Sequence, residues 1–294
     1  MRSMIVAPWG DEKTSKTTFA LSFPKPLYHF DIDVGGFDRA AWRMTDDDPD
    51  ANADGVRELT FPDGGVVTTK KYSQPIPVER MMGQMVSKTA KQLTIRFPKK
   101  VVGMRELWQD IITDYVRVLG DPRVKSISFD SFTQMWNICH KAHLQELQEK
   151  QEANTPGIPE NDLRESLKSV EYGPANDRMR SVIYNARSMN KNLIITHYPK
   201  DIYGVRVNVK GVTEDYRTGA ETLDGFKEVA KLIDLAVRTQ TKVINTPEGK
   251  ESIVTSTITT CGLPGLGFKA EGMPLPTNDY QGILSLVKML GGAK

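Results

Sequence analysis

Short apolar runs alternate along this chain with longer segments whose apolar residues recur every three or four positions. The apolar runs predict β-strands over 3–7, 26–33, 124–129 and 193–197. The segments with helical spacing are 16–22, 37–43, 104–119, 132–153, 176–189 and 279–290. Strands that alternate with helices predict a mostly parallel sheet flanked by helices. Two later strands, 232–244 and 252–260, surround a short turn and predict an antiparallel edge at the C-terminal end of the sheet.

The stretch between residues 44 and 102 interrupts this alternation with clustered charge. From 44 to 63 there are seven acids and one base, and from 64 to 105 there are nine bases and one acid. β-Prone pieces such as VVTTKKY and QLTIRF also occur there. We therefore expect a single domain over 1–294 with a charged β-rich insertion at about 44–102. The insertion is either a solvated segment whose opposite charges pair with each other or a basic surface for nucleic-acid phosphates.

The overall composition excludes several classes of protein. The 294 residues include 39 Lys and Arg against 37 Asp and Glu, so the net charge of +2 excludes a uniformly basic nucleic-acid coat. Two cysteines, Cys139 and Cys261, are too few for a disulfide scaffold. No apolar run approaches the roughly 20 residues of a membrane span, and the N-terminus lacks the apolar core of a signal peptide. We expect no membrane association and a reducing, cytoplasmic location.

The first predicted strand leads into a loop with the pattern of a phosphate-binding P-loop, GxxxxGK[ST]. Gly10, Lys16 and Thr17 match this pattern, whereas Ser15 replaces the second glycine. Backbone N–H groups of such a loop cradle phosphates, the lysine reaches the β- and γ-phosphates, and the threonine hydroxyl binds Mg²⁺. The predicted nucleotide-binding residues are Gly10, Asp11, Glu12, Lys13, Thr14, Ser15, Lys16, Thr17 and Thr18. An ordinary strand-to-helix turn with a chance Lys-Thr pair is the alternative.

Carboxylates end two other predicted strands. Asp130 follows the apolar run VKSISF, where a P-loop site needs an acid that holds Mg²⁺ through water. Asp33 ends the strand that follows the first helix, and it is the first choice for a carboxylate that orients or deprotonates the attacking water, with Asp31 the second. Either aspartate of that second strand could instead cap the next turn.

A histidine and a charged segment follow the strand LIITH. His197 lies at the strand tip, where it either hydrogen-bonds the γ-phosphate or its attacking water or serves as a structural histidine. The glycine- and charge-rich segment 200–224 predicts a mobile loop. Its bases alternate with Tyr203 and Tyr216, a combination that suits single-stranded DNA and also a merely charged loop. The DNA-binding candidates are Lys200, Arg206, Lys210 and Arg217.

Five motifs in sequence order resemble the phage-type RecA-like ATPases. These motifs are APWGDEKTSKTTFAL, FDIDVGGFDRA, ISFDSFTQMW, LIITHYPKD and GFKEVAKLIDLAVRT, and the resemblance covers about residues 4–239. The resemblance implies a RecA-like core, ATP and Mg²⁺ as ligands, self-association into a ring or filament with a cation acting between subunits, and a host-cell cytoplasmic location if phage-encoded. The chain departs from the family at Ser15 and in the charged loop residues 11–13.

The leading function is therefore an ATPase that acts on single-stranded DNA in phage recombination, annealing or replication. A nucleotide-binding assembly or structural subunit with little turnover is one alternative. A small-molecule phosphotransferase is another, although the sequence shows no arginine-rich lid of the kind a kinase uses.

Overall fold

The computed structural model describes residues 3–32, 36–45, 51–74, 99–207, 213–246, 249–264 and 266–291. Within them an eight-stranded sheet has the order β10-β9-β1-β6-β5-β2-β4-β3, and a separate ribbon pairs β7 with β8. The strands are β1 (Ile5–Trp9), β2 (Leu27–Asp31), β3 (Val56–Thr60), β4 (Val66–Lys71), β5 (Ser126–Asp130), β6 (Asn192–Ile195), β7 (Pro199–Val207), β8 (Thr213–Leu223), β9 (Leu235–Thr246) and β10 (Gly249–Cys261).

Helices cover both faces of the sheet. They are α1 (Lys16–Leu21), α2 (Gly36–Met44), α3 (Met104–Gly120), α4 (Phe132–Asn154), α5 (Tyr172–Ser188), α6 (Val229–Leu232) and α7 (Tyr280–Met289). One hydrophobic core packs α3, α4 and α5 against the sheet, and the other packs α1, α2 and α7 against the opposite face. The central strands β1, β2 and β5 are buried along their whole length because helices cover both sides of a parallel sheet.

The predicted fold class is confirmed by the strand pairing. All pairs from β9 across to β4 are parallel, and β10 runs antiparallel to β9 at the C-terminal edge. A parallel sheet aligns the carboxyl ends of its strands at one edge, where loops collect ligand-binding groups. That edge carries the loop after β1, the end of β2 and the end of β5.

The stretch 44–102 was predicted as a charged β-rich insertion, but its described strands belong to the central sheet. Its strands β3 and β4 extend the central sheet, with β4 parallel to β2 and β3 antiparallel at the outer edge. Lys70 pairs with Asp114 of α3 at 2.6 Å, so this base binds an acid outside the segment. The segment QLTIRF and four of the nine bases of 64–105 lie outside the described residues, namely Arg80, Lys88, Lys91 and Arg96.

The segment 200–224 is not the predicted loop in its described parts. Residues 199–207 and 213–223 form the antiparallel ribbon β7–β8, which projects from the sheet with most of its side chains exposed. Among the described residues, no helix combines the length and apolar character that crossing a membrane requires.

Candidate functional site

The loop between β1 and α1 is held in shape by Gly10 and Thr14. Gly10 adopts φ +153°, and a Cβ atom there would lie 2.2 Å from the carbonyl oxygen of Thr239 on β9. The Thr14 hydroxyl donates to the carbonyl of Asp11 at 2.9 Å and lies 2.8 Å from the hydroxyl of Thr239. The loop therefore packs against β9 so closely that only glycine fits at its first position.

Ser15 occupies the position where the P-loop pattern has its second glycine. Its backbone is left-handed, with φ 63° and ψ 27°, and its carbonyl accepts the first helical hydrogen bond from Phe19 at 2.9 Å. The loop thus demands the conformation that glycine adopts freely and serine adopts at a cost. The charged side chains of Asp11, Glu12 and Lys13 are exposed.

Lys16 begins α1 and turns its ammonium into the loop. The side chain is 8% exposed, and its Nζ donates to the carbonyls of Gly10 at 2.8 Å and Asp11 at 2.6 Å. The same Nζ lies 4.9 Å from the ring centroid of Tyr198. These contacts hold a buried positive charge at the mouth of the loop, where an anion could replace the carbonyl oxygens.

Thr17, Asp130 and Thr196 form a second polar group beside the loop. Asp130 is buried, and its Oδ2 accepts from the Thr17 hydroxyl while its Oδ1 accepts from the Thr196 hydroxyl, each at 2.5 Å. Gly36, at the start of α2, lies so near that a Cβ there would be 3.1 Å from both Asp130 Oδ2 and Thr17 Oγ1. The structure thus brings together the two residues that the sequence singled out as Mg²⁺ ligands.

Asp31 lies beside Asp130 on the neighbouring strand. The two aspartates are register partners in the parallel pair of β2 and β5. Asp31 is fully buried, and neither carboxylate oxygen has a hydrogen-bond partner among the described residues. Burial, reinforced by the charge of Asp130, raises the pKa of Asp31 to about 7. Asp33, the first choice for the water-activating carboxylate, lies outside the described residues.

His197 is placed differently from its predicted contact with the γ-phosphate. Its ring is fully buried, its Nδ1 lies 2.6 Å from the carbonyl oxygen of Asp224, and its edge packs on Phe132. Burial lowers the pKa of His197 to about 4, so the ring is neutral near pH 7. The next residue, Tyr198, lines the cavity instead, because successive residues of an extended chain point to opposite sides. The geometry supports the structural alternative for His197.

A cavity of about 460 Å³ opens between the loop and α2. Loop residues 12–18, Asp130 and Tyr198 line one side, and Gly36, Ala40, Arg39 and Arg43 of α2 line the other. The two arginines were missed by the sequence analysis, although their spacing of three and seven residues from Gly36 places all three on one helix face.

The described DNA-binding candidates lie on the ribbon β7–β8, away from this cavity. Each is near an acid: Arg206 pairs with Glu214 at 2.7 Å, Arg217 with Asp201 at 2.5 Å, and Lys200 lies 3.9 Å from Asp224. The described ribbon strands carry three bases and four acids. Lys210 lies outside the described residues.

Comparison with known proteins yields a distant structural likeness. No family model matches the chain, and no curated protein matches it in sequence. Among solved structures, the chain is similar to the crystal structure of flagellar accessory protein FlaH from Methanocaldococcus jannaschii. The identity is 10%, the TM-score is 0.36, and the alignment covers 88% of this chain and 79% of that chain. A likeness of this extent decides nothing about the site, which rests on this chain's own geometry.

Proposed function

We propose that this chain is a RecA-like P-loop ATPase that binds ATP and Mg²⁺ in the cavity between the loop and α2. The main observation behind this proposal lies at the carboxyl edge of the sheet. There the buried ammonium of Lys16 lies next to the hydroxyl–carboxylate pair of Thr17 and Asp130. A lysine for the β- and γ-phosphates and an oxygen pair for the metal are the recurring parts of phosphoryl-transfer sites.

The residues present fit a nucleotide. The cavity volume of about 460 Å³ lies in the range of roughly 300–1,000 Å³ typical of small-molecule sites. Gly10 keeps the loop tight, and a tight loop of this kind presents backbone N–H groups to phosphate oxygens. Lys16 would exchange its two carbonyl partners for the phosphates, which are stronger acceptors because they are charged.

The residues present also fit Mg²⁺. Thr17 Oγ1 and Asp130 Oδ2 are hard oxygen donors already side by side, and Gly36 adds no side chain to crowd them. When bound, the metal supplies positive charge that offsets the charge of the phosphate oxygens. Thr196 holds the other oxygen of Asp130 and so fixes the orientation of that carboxylate.

Asp31 is the described residue best suited to take the proton of the attacking water. Its two unpartnered oxygens lie next to Asp130, and its pKa of about 7 matches the requirement for a base that works near neutral pH. Asp33 stays the alternative base for this step.

We further propose that the ATPase acts on single-stranded DNA, in phage recombination, annealing or replication, and assembles as a ring or filament. Tyr203 is 62% exposed on the ribbon, and the Arg206 guanidinium lies 5.3 Å from the ring centroid of Tyr216. Exposed aromatics with neighbouring arginines are the groups on which unpaired bases stack. The pairing of the ribbon's bases with acids argues for stacking, rather than net charge, as the main source of affinity.

One assay tests the proposal and its alternatives. ATP hydrolysis is measured with and without single-stranded DNA, for the parent chain and for Lys16→Ala. Turnover that depends on Lys16 and rises with DNA supports the proposal. Nucleotide binding without turnover would favour an assembly subunit, and turnover that requires a small phosphate acceptor would favour a phosphotransferase. Equal rates in parent and variant would refute the P-loop assignment.

A further inference from the structure

Two arginines of α2 face the cavity from the side opposite the loop. Gly36, Arg39, Ala40 and Arg43 follow each other at helical spacings of three, four and seven residues, and all four line the cavity. They form one stripe of the helix. The stripe begins beside Asp130 and Thr17, the pair proposed to hold Mg²⁺.

Neither arginine forms an ion pair with an acid that the structure describes. The nearest acid on their own helix, Asp38, pairs with Arg57 at 2.6 Å instead. Like charges four residues apart destabilise a helix, and a cation in its first turn opposes the helix dipole. The repulsion between the two arginines and the position of Arg39 in the first turn are unfavourable for the helix, and an anion bound in the cavity would offset both.

The geometry of α2 places the Arg39 side chain nearer to the Thr17–Asp130 pair than the Arg43 side chain. At a rise of about 1.5 Å per residue, Arg39 lies about 4.5 Å and Arg43 about 10.5 Å along the axis from Gly36. Side chains of a helix lean back toward its N-terminus. Arg39 is thus carried toward the metal pair, where the terminal phosphate of a nucleotide would lie, and Arg43 stands one turn behind it.

We infer that Arg39 and Arg43 supply, from the same chain, the cations that bind the terminal phosphate of the nucleotide. The inference rests on the proposed ATPase function and names residues of its site.

In hydrolysis, a water oxygen forms a bond to the terminal phosphorus and the bond from that phosphorus to the bridging oxygen breaks. The electron pair leaves with the diphosphate, and the water proton goes to a carboxylate of the site. Arginines on the terminal phosphate offset the negative charge of its oxygens through this step. A cation from a neighbouring subunit, which the family resemblance implies, is then not needed.

The first test is the pair of variants Arg39→Ala and Arg43→Ala, alone and combined. We expect the double variant to lose on the order of 10²-fold or more in kcat, in keeping with arginines on a transferring phosphoryl group. Its Kd for ATP should rise at least about tenfold while its Kd for ADP changes less than about threefold, since the lost contacts are to the terminal phosphate. Arg39→Lys should recover part of the loss. Arg123→Ala is the matched control, because Arg123 is an exposed arginine paired with Asp121 at the opposite edge of the sheet.

The second test separates cations of the same chain from cations of a neighbour. Lys16→Ala is mixed with the double variant Arg39→Ala, Arg43→Ala. If the arginines acted on a neighbouring subunit, mixed contacts would pair an intact loop with intact arginines and restore turnover. We expect the mixture to stay at the summed activity of its parts.

The outcomes distinguish the inference from the proposal beneath it. Unchanged kcat and an unchanged preference for ATP over ADP in the double variant, with Lys16-dependent turnover in the parent, would overturn the inference alone. Recovery on mixing would also overturn it. A parent that neither binds nor hydrolyses ATP would overturn the ATPase proposal itself.

Discussion

Replacing Ser15 by glycine tests whether the loop pays a conformational penalty for its departure from the P-loop pattern. Ser15 is left-handed at φ 63°, where the Cβ of an L-residue costs about 1–2 kcal/mol relative to glycine. Glycine also gives the unfolded chain more freedom, which opposes folding by about 0.5–1 kcal/mol. The difference between the two ranges is about 0–1.5 kcal/mol, so we predict a net gain in the free energy of unfolding for Ser15→Gly whose central value is about 0.75 kcal/mol.

The matched variant is Ser15→Ala. Alanine keeps the Cβ and its strain but removes the hydroxyl, and the Ser15 side chain makes no capping hydrogen bond to α1. We therefore expect Ser15→Ala to match the parent in stability and turnover, whereas Ser15→Gly matches or exceeds the parent in both. Urea unfolding monitored by circular dichroism gives the free energies, and a steady-state ATPase assay gives kcat.

The pattern of the two variants decides the cause. A loss of turnover shared by Ser15→Gly and Ser15→Ala would show that the hydroxyl contacts the nucleotide, and that this loop is a distinct variant of the motif. A stability of Ser15→Gly below that of the parent would refute the strain argument, because the backbone at this position would then not favour glycine.

Four further outcomes follow from the site. Lys16→Ala should abolish turnover and weaken nucleotide binding while the circular dichroism spectrum stays that of the parent, because the ammonium donates to loop carbonyls and lies near the Tyr198 ring, outside both hydrophobic cores. Asp130→Asn should remove Mg²⁺-dependent turnover yet keep measurable nucleotide binding in a titration, since the amide retains shape and loses charge. Gly10→Ala should lower the free energy of unfolding by about 2 kcal/mol or more in urea, because its Cβ would stand 2.2 Å from the carbonyl of Thr239. Burial lowers the pKa of His197 to about 4 from its ordinary value near 6.5. Between pH 6.5 and pH 4, His197 therefore binds a proton in the unfolded chain but not in the folded chain. Stability should therefore fall as the pH drops from 7 toward 4, by at most about 3 kcal/mol from this group, and His197→Asn should flatten that part of the pH profile.

The central fold was predictable because its strands and helices carry strong local patterns. The strands β1, β5 and β6 are short apolar runs buried on both faces, and the helices α3 and α4 repeat apolar residues at helical spacing. Such signals depend on neighbours in the chain, so they are visible before the structure is known.

The outer strands were harder to predict for a physical reason. In β4 only Val67 and Thr69 are buried, and they alternate with exposed or half-exposed residues in a charged stretch. What places β4 in the sheet is its parallel pairing with β2, which joins residues about 40 positions apart. The ribbon β7–β8 has little hydrophobic core of its own, so its charged, glycine-containing sequence was interpreted as a loop.

The residues of the candidate site also divide into those with a local sequence signal and those placed by tertiary packing. Lys16 and Thr17 were found because the P-loop motif compresses their geometry into consecutive residues. Arg39 and Arg43 were missed because their importance depends on how α2 packs across the loop, which is a tertiary relation. The sequence analysis chose His197, whereas the next residue, Tyr198, lines the cavity. Adjacent residues of an extended chain point to opposite sides, so an error of one position selects a side chain on the wrong side.

The contacts at the carboxyl edge of the sheet indicate what a bound nucleotide would change under the proposed function. The ammonium of Lys16 donates to two carbonyls and the carboxylate of Asp130 accepts from two hydroxyls, and these are neutral groups whose places a charged ligand would take. Asp31 has no described hydrogen-bond partner, and Arg39 and Arg43 have no described ion-pair partner. Under the proposed function, a polyphosphate with a divalent metal would supply partners of the right sign to Lys16, Asp130, Arg39 and Arg43 at once. Binding should therefore stabilise the folded chain by the full mass-action term, about 2.7 kcal/mol at a ligand concentration one hundred times Kd.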